Sequence, residues 1–194
     1  MNPLITFYDR LIEKYGPNDP RALNWRNAES QERRFQVLTE IENLENASIL
    51  DAGCGVGDLY DFLRCHVRQF SYEGIDINKN FIESARTKYP GITFGLMDVA
   101  KYEGVKSDYS FASGLLSFKT SNHKELYFGY IKRIFDLSNK GVAFNMLNIE
   151  HHDDNETYAA YSVGEVHNFC SGLTGKIKIC QDYLPYDFTV YLYH

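Results

Sequence analysis

The chain has 194 residues, enough for one domain with a substantial core and too few for two of ordinary size. With 44% hydrophobic and 24% charged residues and no fixed-period repeat, it is neither a disordered chain nor a solenoid. Its formal charge of -6 argues against nucleic acid as a partner, because phosphate binding leans on clustered Lys and Arg.

Residues Met1 to Arg10 lack a basic segment followed by an apolar run, and no later stretch has the unbroken apolar length that spans a bilayer. A cytoplasmic location without membrane contact is expected. Cys54, Cys65, Cys170 and Cys180 lie far apart with no CxxC pair, which points to reduced thiols rather than a disulfide framework or a metal site.

Residues up to Asn27 read as a short helix and then a loop carrying Gly16, Pro17 and Pro20. A helix follows from Ser30, a candidate cap, with Phe35, Leu38, Ile41 and Leu44 on neighbouring positions, and ends near Asn46. Residues 1–46 thus form a helical cap within a single domain spanning 1–194. Ser48 to Asp51 is a short apolar run stopped by glycines, as expected for a buried parallel strand entering a loop.

Helix-like and strand-like segments then alternate: Asp58 to Cys65 helical, Tyr72 to Ile77 extended, Asn78 to Lys88 helical before Pro90 and Gly91, and Ile92 to Leu96 extended. The series continues with a strand at Tyr109 to Ser113, a helix over Ser121 to Phe135 and a strand at Gly141 to Met146. A last helix starts at Ser162, which with Glu165 has capping-box spacing. Lys176 to Asp182 and Asp187 to Tyr193 read as two strands joined by Tyr183 to Tyr186, an antiparallel hairpin. The expected fold is α/β and doubly wound, Rossmann-like, with a seven-stranded, mostly parallel sheet ending in that hairpin.

Chemistry concentrates where strands end. In Ile49-Leu50-Asp51-Ala52-Gly53-Cys54-Gly55-Val56-Gly57-Asp58, three alternate glycines stand where a strand meets a helix, and glycine lets a ligand approach the backbone closely. A dinucleotide fingerprint would place another glycine at position 58, but the chain has Asp58, whose charge repels a pyrophosphate. A ligand without phosphates fits better.

The segment resembles the first motif of class I S-adenosylmethionine-dependent methyltransferases, with Asp51, Gly53, Gly55 and Gly57 matching its acidic residue and glycines and Cys54 between them. The resemblance implies S-adenosylmethionine as cofactor, a glycine loop beside its methionine and ribose, and Asp51 at its methionine end. Asp76, ending Glu73-Gly74-Ile75-Asp76, matches the second motif and would accept from both ribose hydroxyls, with Ile77 against the adenine face. Asp98 would accept from the adenine amino group, with Met97 and Val99 flanking the ring. Three acidic residues following three successive strands form the specific part of the pattern.

After the fourth strand, Ser113 and Gly114 stand where that family places its acceptor, and the absence of Asn-Pro-Pro-Tyr argues against exocyclic amines of nucleobases or glutamine amides. Trp25, Ser30-Gln31, Arg34-Phe35 and Tyr186 to Tyr191 resemble a subgroup of small bacterial methyltransferases; Trp25, Gln31 and Arg34 could close over the cofactor, with Arg34 near its carboxylate.

The implied function is methyl transfer to a small-molecule acceptor. The alternatives are a non-catalytic S-adenosylmethionine-binding module and a nucleotide-dependent oxidoreductase. No catalytic residue is singled out: His123 is one possible base, though a structural role fits it better. Tyr158 and Tyr161 either line a pocket or pack a helix, and His151-His152-Asp153-Asp154 reads as a solvated loop, since adjacent residues diverge and no second pair completes a metal shell. The sequence sets no oligomeric state.

Overall fold

A computed structural model describes residues 2–17, 19–25, 27–152 and 156–194. Helix α1 (Pro3–Tyr15) and a 3-10 turn (Pro20–Leu23) precede α2 (Ala28–Thr39). The alternating series then runs β1 (Ala47–Ala52), α3 (Asp58–His66), β2 (Phe70–Asp76), α4 (Lys79–Lys88), β3 (Thr93–Leu96), β4 (Ser107–Ala112), α5 (His123–Asp136) and β5 (Ser138–Asn148). The chain closes with β6 (Ala160–Tyr161), α6 (Val163–Ser171), β7 (Ile177–Cys180) and β8 (Asp187–Tyr193).

Seven strands lie in the order β3-β2-β1-β4-β5-β8-β7, as a mostly parallel sheet with an antiparallel end; the two-residue β6 is an eighth strand, paired beside β5. β8 slots antiparallel between β5 and β7, with Leu147 opposite Asp187 and Gly141 opposite Tyr193. Because β1 pairs with β2 on one side and β4 on the other, the chain reverses its winding there. That reversal opens a crevice beyond the carboxyl ends of β1 and β4, where ligands of such sheets bind.

Strand alternation sends side chains to two faces. Leu50, Val142, Phe144 and Phe188 pack with Ile131 and Ile134 of α5 and with Val166 of α6. On the other face Ile49, Phe111 and Tyr191 meet Phe35 and Leu38 of α2 and Leu59 and Leu63 of α3. Tyr191 also donates its hydroxyl to the Val37 carbonyl at 2.6 Å, fixing α2 to the sheet.

Several boundaries differ from the sequence expectation for local reasons. Asn27, not Ser30, caps α2: its side chain accepts the Ser30 N–H at 2.8 Å, and the helix stops at Thr39. Ile41 and Leu44 are buried from the turns that follow, so helical spacing here marked burial rather than helix. Ser162 precedes α6 but makes no side-chain cap bond, and the Glu165 carboxylate, which would complete a capping box, pairs with Lys124 at 2.8 Å. Asp182, at φ 65°, lies beyond the end of β7.

Candidate active site

The crevice is a cavity of about 720 Å³. This falls within the roughly 300–1,000 Å³ common for small-molecule sites. Its floor is the glycine loop between β1 and α3. Gly53 and Cys54 donate backbone N–H groups to the Ile75 carbonyl at 2.8 and 3.0 Å, pinning that loop to β2. A Cβ on Gly55, at φ 54°, would stand 2.8 Å from Leu23, so the N-terminal segment lies directly on the loop. Gly57 does not line the cavity. It caps α3 at φ 85°, and a Cβ there would meet Phe94 at 2.9 Å, a demand of packing rather than of a ligand.

Asp51, Cys54, Asp76, Ile77, Val99 and Ser113 all line the cavity. Asp51 is buried at the end of β1, and its carboxylate accepts from the Tyr72 hydroxyl at 2.6 Å. Burial pushes its pKa up to about 7, against the opposing pull of that hydrogen bond. Asp76, at the end of β2, accepts from the N–H of Gly55 at 3.0 Å and of Asn78 at 2.8 Å, one on each oxygen. A carboxylate has about four acceptor positions, so both oxygens keep capacity for further donors. Burial raises this carboxyl too, while the N–H groups of Asn78, Gly55 and Ile77 draw it down.

Asp98 sits beside the cavity rather than in its wall, between the lining residues Met97 and Val99. Its Oδ1 accepts from the Ala100 N–H at 2.9 Å and the Tyr130 hydroxyl at 3.1 Å. Asp58 opens α3 and accepts from Gln31 Nε2 and Lys88 Nζ, each at 3.0 Å.

The N-terminal segment supplies the roof. Asp9 of α1 accepts from the side-chain amides of Asn78 and Asn80, each at 2.9 Å, and Tyr8 meets Phe81 edge-on at 5.6 Å. Trp25 presses on Gly114, where a Cβ would stand 2.7 Å from its ring. Arg34 stacks over Trp25 at 4.9 Å, and a buried bidentate pair with Asp187 at 3.0 and 2.6 Å engages its guanidinium. The Ser30 carbonyl accepts a third Arg34 N–H at 3.0 Å, so this side chain is committed to the protein's own frame.

Some wall residues carried no strong sequence signal. Asn145 in β5 accepts the Gly114 N–H at 3.0 Å and donates to Ser113 Oγ at 3.2 Å, holding the loop after β4. Its only mark in the sequence is one amide within an apolar strand. His151 and His152 line the cavity instead of lying in a detached solvated loop; Asp153 and Asp154 lie outside the described residues. The Tyr158–Tyr161 pair divides: Tyr158 lines the cavity and takes a hydrogen bond from Asn24, whereas Tyr161 packs in the core against Phe128. His123 is outside the wall, its Nδ1 2.7 Å from the Thr120 carbonyl.

The fold thus carries a glycine loop between two acidic strand ends that face one cavity. Residues 49–137 match the family model of a methyltransferase domain. A protein of Mycobacterium tuberculosis named as a methyltransferase is 29% identical over 104 residues, covering 52% of this chain and 63% of the relative. The chain spans under two thirds of the length of the curated relatives it matches. The magnesium protoporphyrin IX methyltransferase of Synechocystis, solved with S-adenosylmethionine, superposes with a TM-score of 0.70 at 15% identity, covering 100% of this chain and 98% of that one. An N-methyltransferase of Bradyrhizobium japonicum, solved with S-adenosylhomocysteine, does so at 0.72 and 14% identity, covering 99% and 98%. At such identities the likeness is one of fold.

Proposed function

We propose that the protein transfers a methyl group from S-adenosylmethionine to a small-molecule acceptor, as a single cytoplasmic unit in which residues 1–46 form the cap. The observation that carries this reading is the placement of Asp51 and Asp76 on one cavity wall, at successive strand ends around the Gly53–Gly55 loop. The residues fit the cofactor: Asp76 has acceptor capacity for two ribose hydroxyls, and Asp51 is a buried carboxylate suited to a cationic methionine end. Ile77, Val99 and Met97 offer apolar contact to adenine, whereas Asp98 lies outside the cavity wall and would have to turn from the Ala100 N–H and the Tyr130 hydroxyl to reach its amino group. Bound, the cofactor supplies an electrophilic methyl group, so the chain's task is to hold the acceptor in line and keep water out. Asn145 does part of this by fixing Ser113 and Gly114.

Asp58 at the start of α3 disfavours a nucleotide-dependent oxidoreductase, since its carboxylate stands where a pyrophosphate would approach. Calorimetric titration with S-adenosylhomocysteine and NADH tests the reading. Binding of the first alone is expected, weakened about 30- to 150-fold by Asp76→Asn, the equivalent of roughly 2–3 kcal/mol for charge-assisted hydrogen bonds. No binding to folded wild type overturns it, and absence of methyl transfer across an acceptor panel would leave a binding module.

A further inference from the structure

Asp51 is held in the cavity wall by a residue that does not itself line the cavity, Tyr72. In the parallel pairing of β1 with β2, Ile49 stands opposite Tyr72 and Asp51 opposite Gly74, so Tyr72 and Asp51 project from one face of the sheet, two residues out of step. Gly74, the next position on that face of β2, has no side chain, and the Tyr72 hydroxyl reaches Asp51 Oδ2 at 2.6 Å. The Tyr72 ring packs on Tyr60 of α3 at 5.2 Å and edge-on to Phe94 of β3 at 5.9 Å, so a fixed frame delivers that hydroxyl.

The bond commits one oxygen of Asp51 and leaves the other. Among the described residues no second group donates to this carboxylate, so Oδ1 is the oxygen left for a ligand in the cavity. The ionisable groups around it are Tyr72 and Asp76 of β2, Asp58 of α3 and Cys54 of the glycine loop. Burial, Asp76 and Asp58 all favour the neutral carboxyl, and the Tyr72 hydrogen bond alone opposes them. Burial and the neighbouring Asp51 charge in turn hold the phenol well above its ordinary pKa, so Tyr72 stays protonated and remains a donor.

Resting on the proposed S-adenosylmethionine reading, we infer that Tyr72 is a positioning residue: it holds Asp51 with Oδ1 toward the cavity, so that the site selects ligands with a cationic amino-acid end over adenosine thioethers that lack one. Tyr72 touches no ligand and acts through Asp51. An ammonium group that meets Oδ1 gains a charge-assisted bond to a carboxylate whose other oxygen is already satisfied and whose side chain needs no further ordering. Without the hydroxyl the carboxyl is buried with no donor. It then takes up a proton at neutral pH rather than bear an unsolvated charge, and a neutral carboxyl loses most of its attraction for an ammonium.

The test compares S-adenosylhomocysteine with methylthioadenosine, which keeps the adenosine and the sulfur but has no amino-acid end. Failure of the wild type to bind S-adenosylhomocysteine removes the cofactor reading itself; the other outcomes bear on Tyr72. Calorimetry on Tyr72→Phe, which keeps the ring contacts, should show S-adenosylhomocysteine weakened about tenfold near pH 7 and methylthioadenosine unchanged within twofold. That deficit should shrink as pH rises from about 6 to about 8.5, because at the higher pH the carboxyl ionises even without its donor. In an Asp51→Asn background, Tyr72→Phe should cost less than twofold further, since the residue acts through the lost charge. Equal weakening of both ligands, an unchanged affinity for S-adenosylhomocysteine, a deficit independent of pH, or a full tenfold effect in the Asp51→Asn background would each overturn the inference. Should Tyr72→Phe not fold, Tyr60→Leu takes its place: it keeps the hydroxyl, removes a ring that steadies it, and should weaken S-adenosylhomocysteine alone by about threefold. No selective loss in that variant would overturn the inference equally.

Discussion

Asp51 is a residue at which the proposed function and stability conflict directly. Its carboxyl is 2% exposed and receives one hydroxyl donor, and its pKa rises from 3.8 to about 7 through burial. Between those values the folded protein binds more protons than the unfolded chain, so the ligand-free protein loses stability as pH rises through that window. About three pKa units at about 1.4 kcal/mol each give roughly 4 kcal/mol over the whole window. Of this, about 2.5 kcal/mol is lost between pH 5 and pH 8, the rest having gone below pH 5. Asp51→Asn keeps an acceptor for Tyr72 and removes the titration. Urea unfolding of both proteins at pH 5, 6.5 and 8 should therefore show the variant gaining about 2.5 kcal/mol relative to wild type over that range, while its affinity for S-adenosylhomocysteine falls. Curves that stay parallel to within about 0.5 kcal/mol would refute the argument that burial sets the state of this carboxyl.

Three further outcomes follow from the cap. Arg34→Ala leaves Asp187 buried without its partner and should cost about 3–5 kcal/mol in urea unfolding, whereas Arg34→Met with Asp187→Leu should recover most of the loss. Asp9→Ala removes the acceptor shared by Asn78 and Asn80, and stopped-flow dissociation of S-adenosylhomocysteine should accelerate about tenfold, two hydrogen bonds at roughly 0.7 kcal/mol each. Gly55→Ala puts a side chain at φ 54° against Leu23, and should lower both stability, by about 1–2 kcal/mol, and cofactor affinity.

The convergence of the proposed donor-side residues on one cavity was legible because its signals are local. Strand ends, glycines and acidic residues lie within a few positions of one another, and the alternation of strand and helix dictates where they converge. Even there, the sequence could not separate Gly55, which meets Leu23, from Gly57, whose constraint comes from Phe94 and Tyr89. The acceptor side depends on contacts between distant segments: Arg34 finds Asp187 across 153 positions, and Asn24 finds Tyr158 across 134. Neither pair leaves a periodic trace. His152 was undervalued for a related reason, since adjacent histidines diverge, which weakens a metal site but says nothing against one of them facing a cavity. The helix read through to Asn46 failed because Ile41 and Leu44 are buried from turns, and burial periodicity alone does not specify the backbone that delivers it.

Those long-range contacts also bear on how the two halves of the cavity act together. Leu23 lies on the glycine loop, Trp25 lies on the loop after β4, and Arg34 is tied to the start of β8, all within twelve consecutive residues. One short segment therefore forms part of both the proposed donor wall and the proposed acceptor wall. The Arg34–Trp25 stack and the Arg34–Asp187 pair hold Trp25 over Gly114, and Leu23 stands two positions earlier in the same segment. Binding energy gained on the donor side is thus available to order the acceptor side, the direction in which thermodynamic coupling between neighbouring ligands must be reciprocal. Loosening the segment at Arg34 should accordingly weaken both ligands, whereas a change confined to Asp76 should act on the acceptor only through the donor.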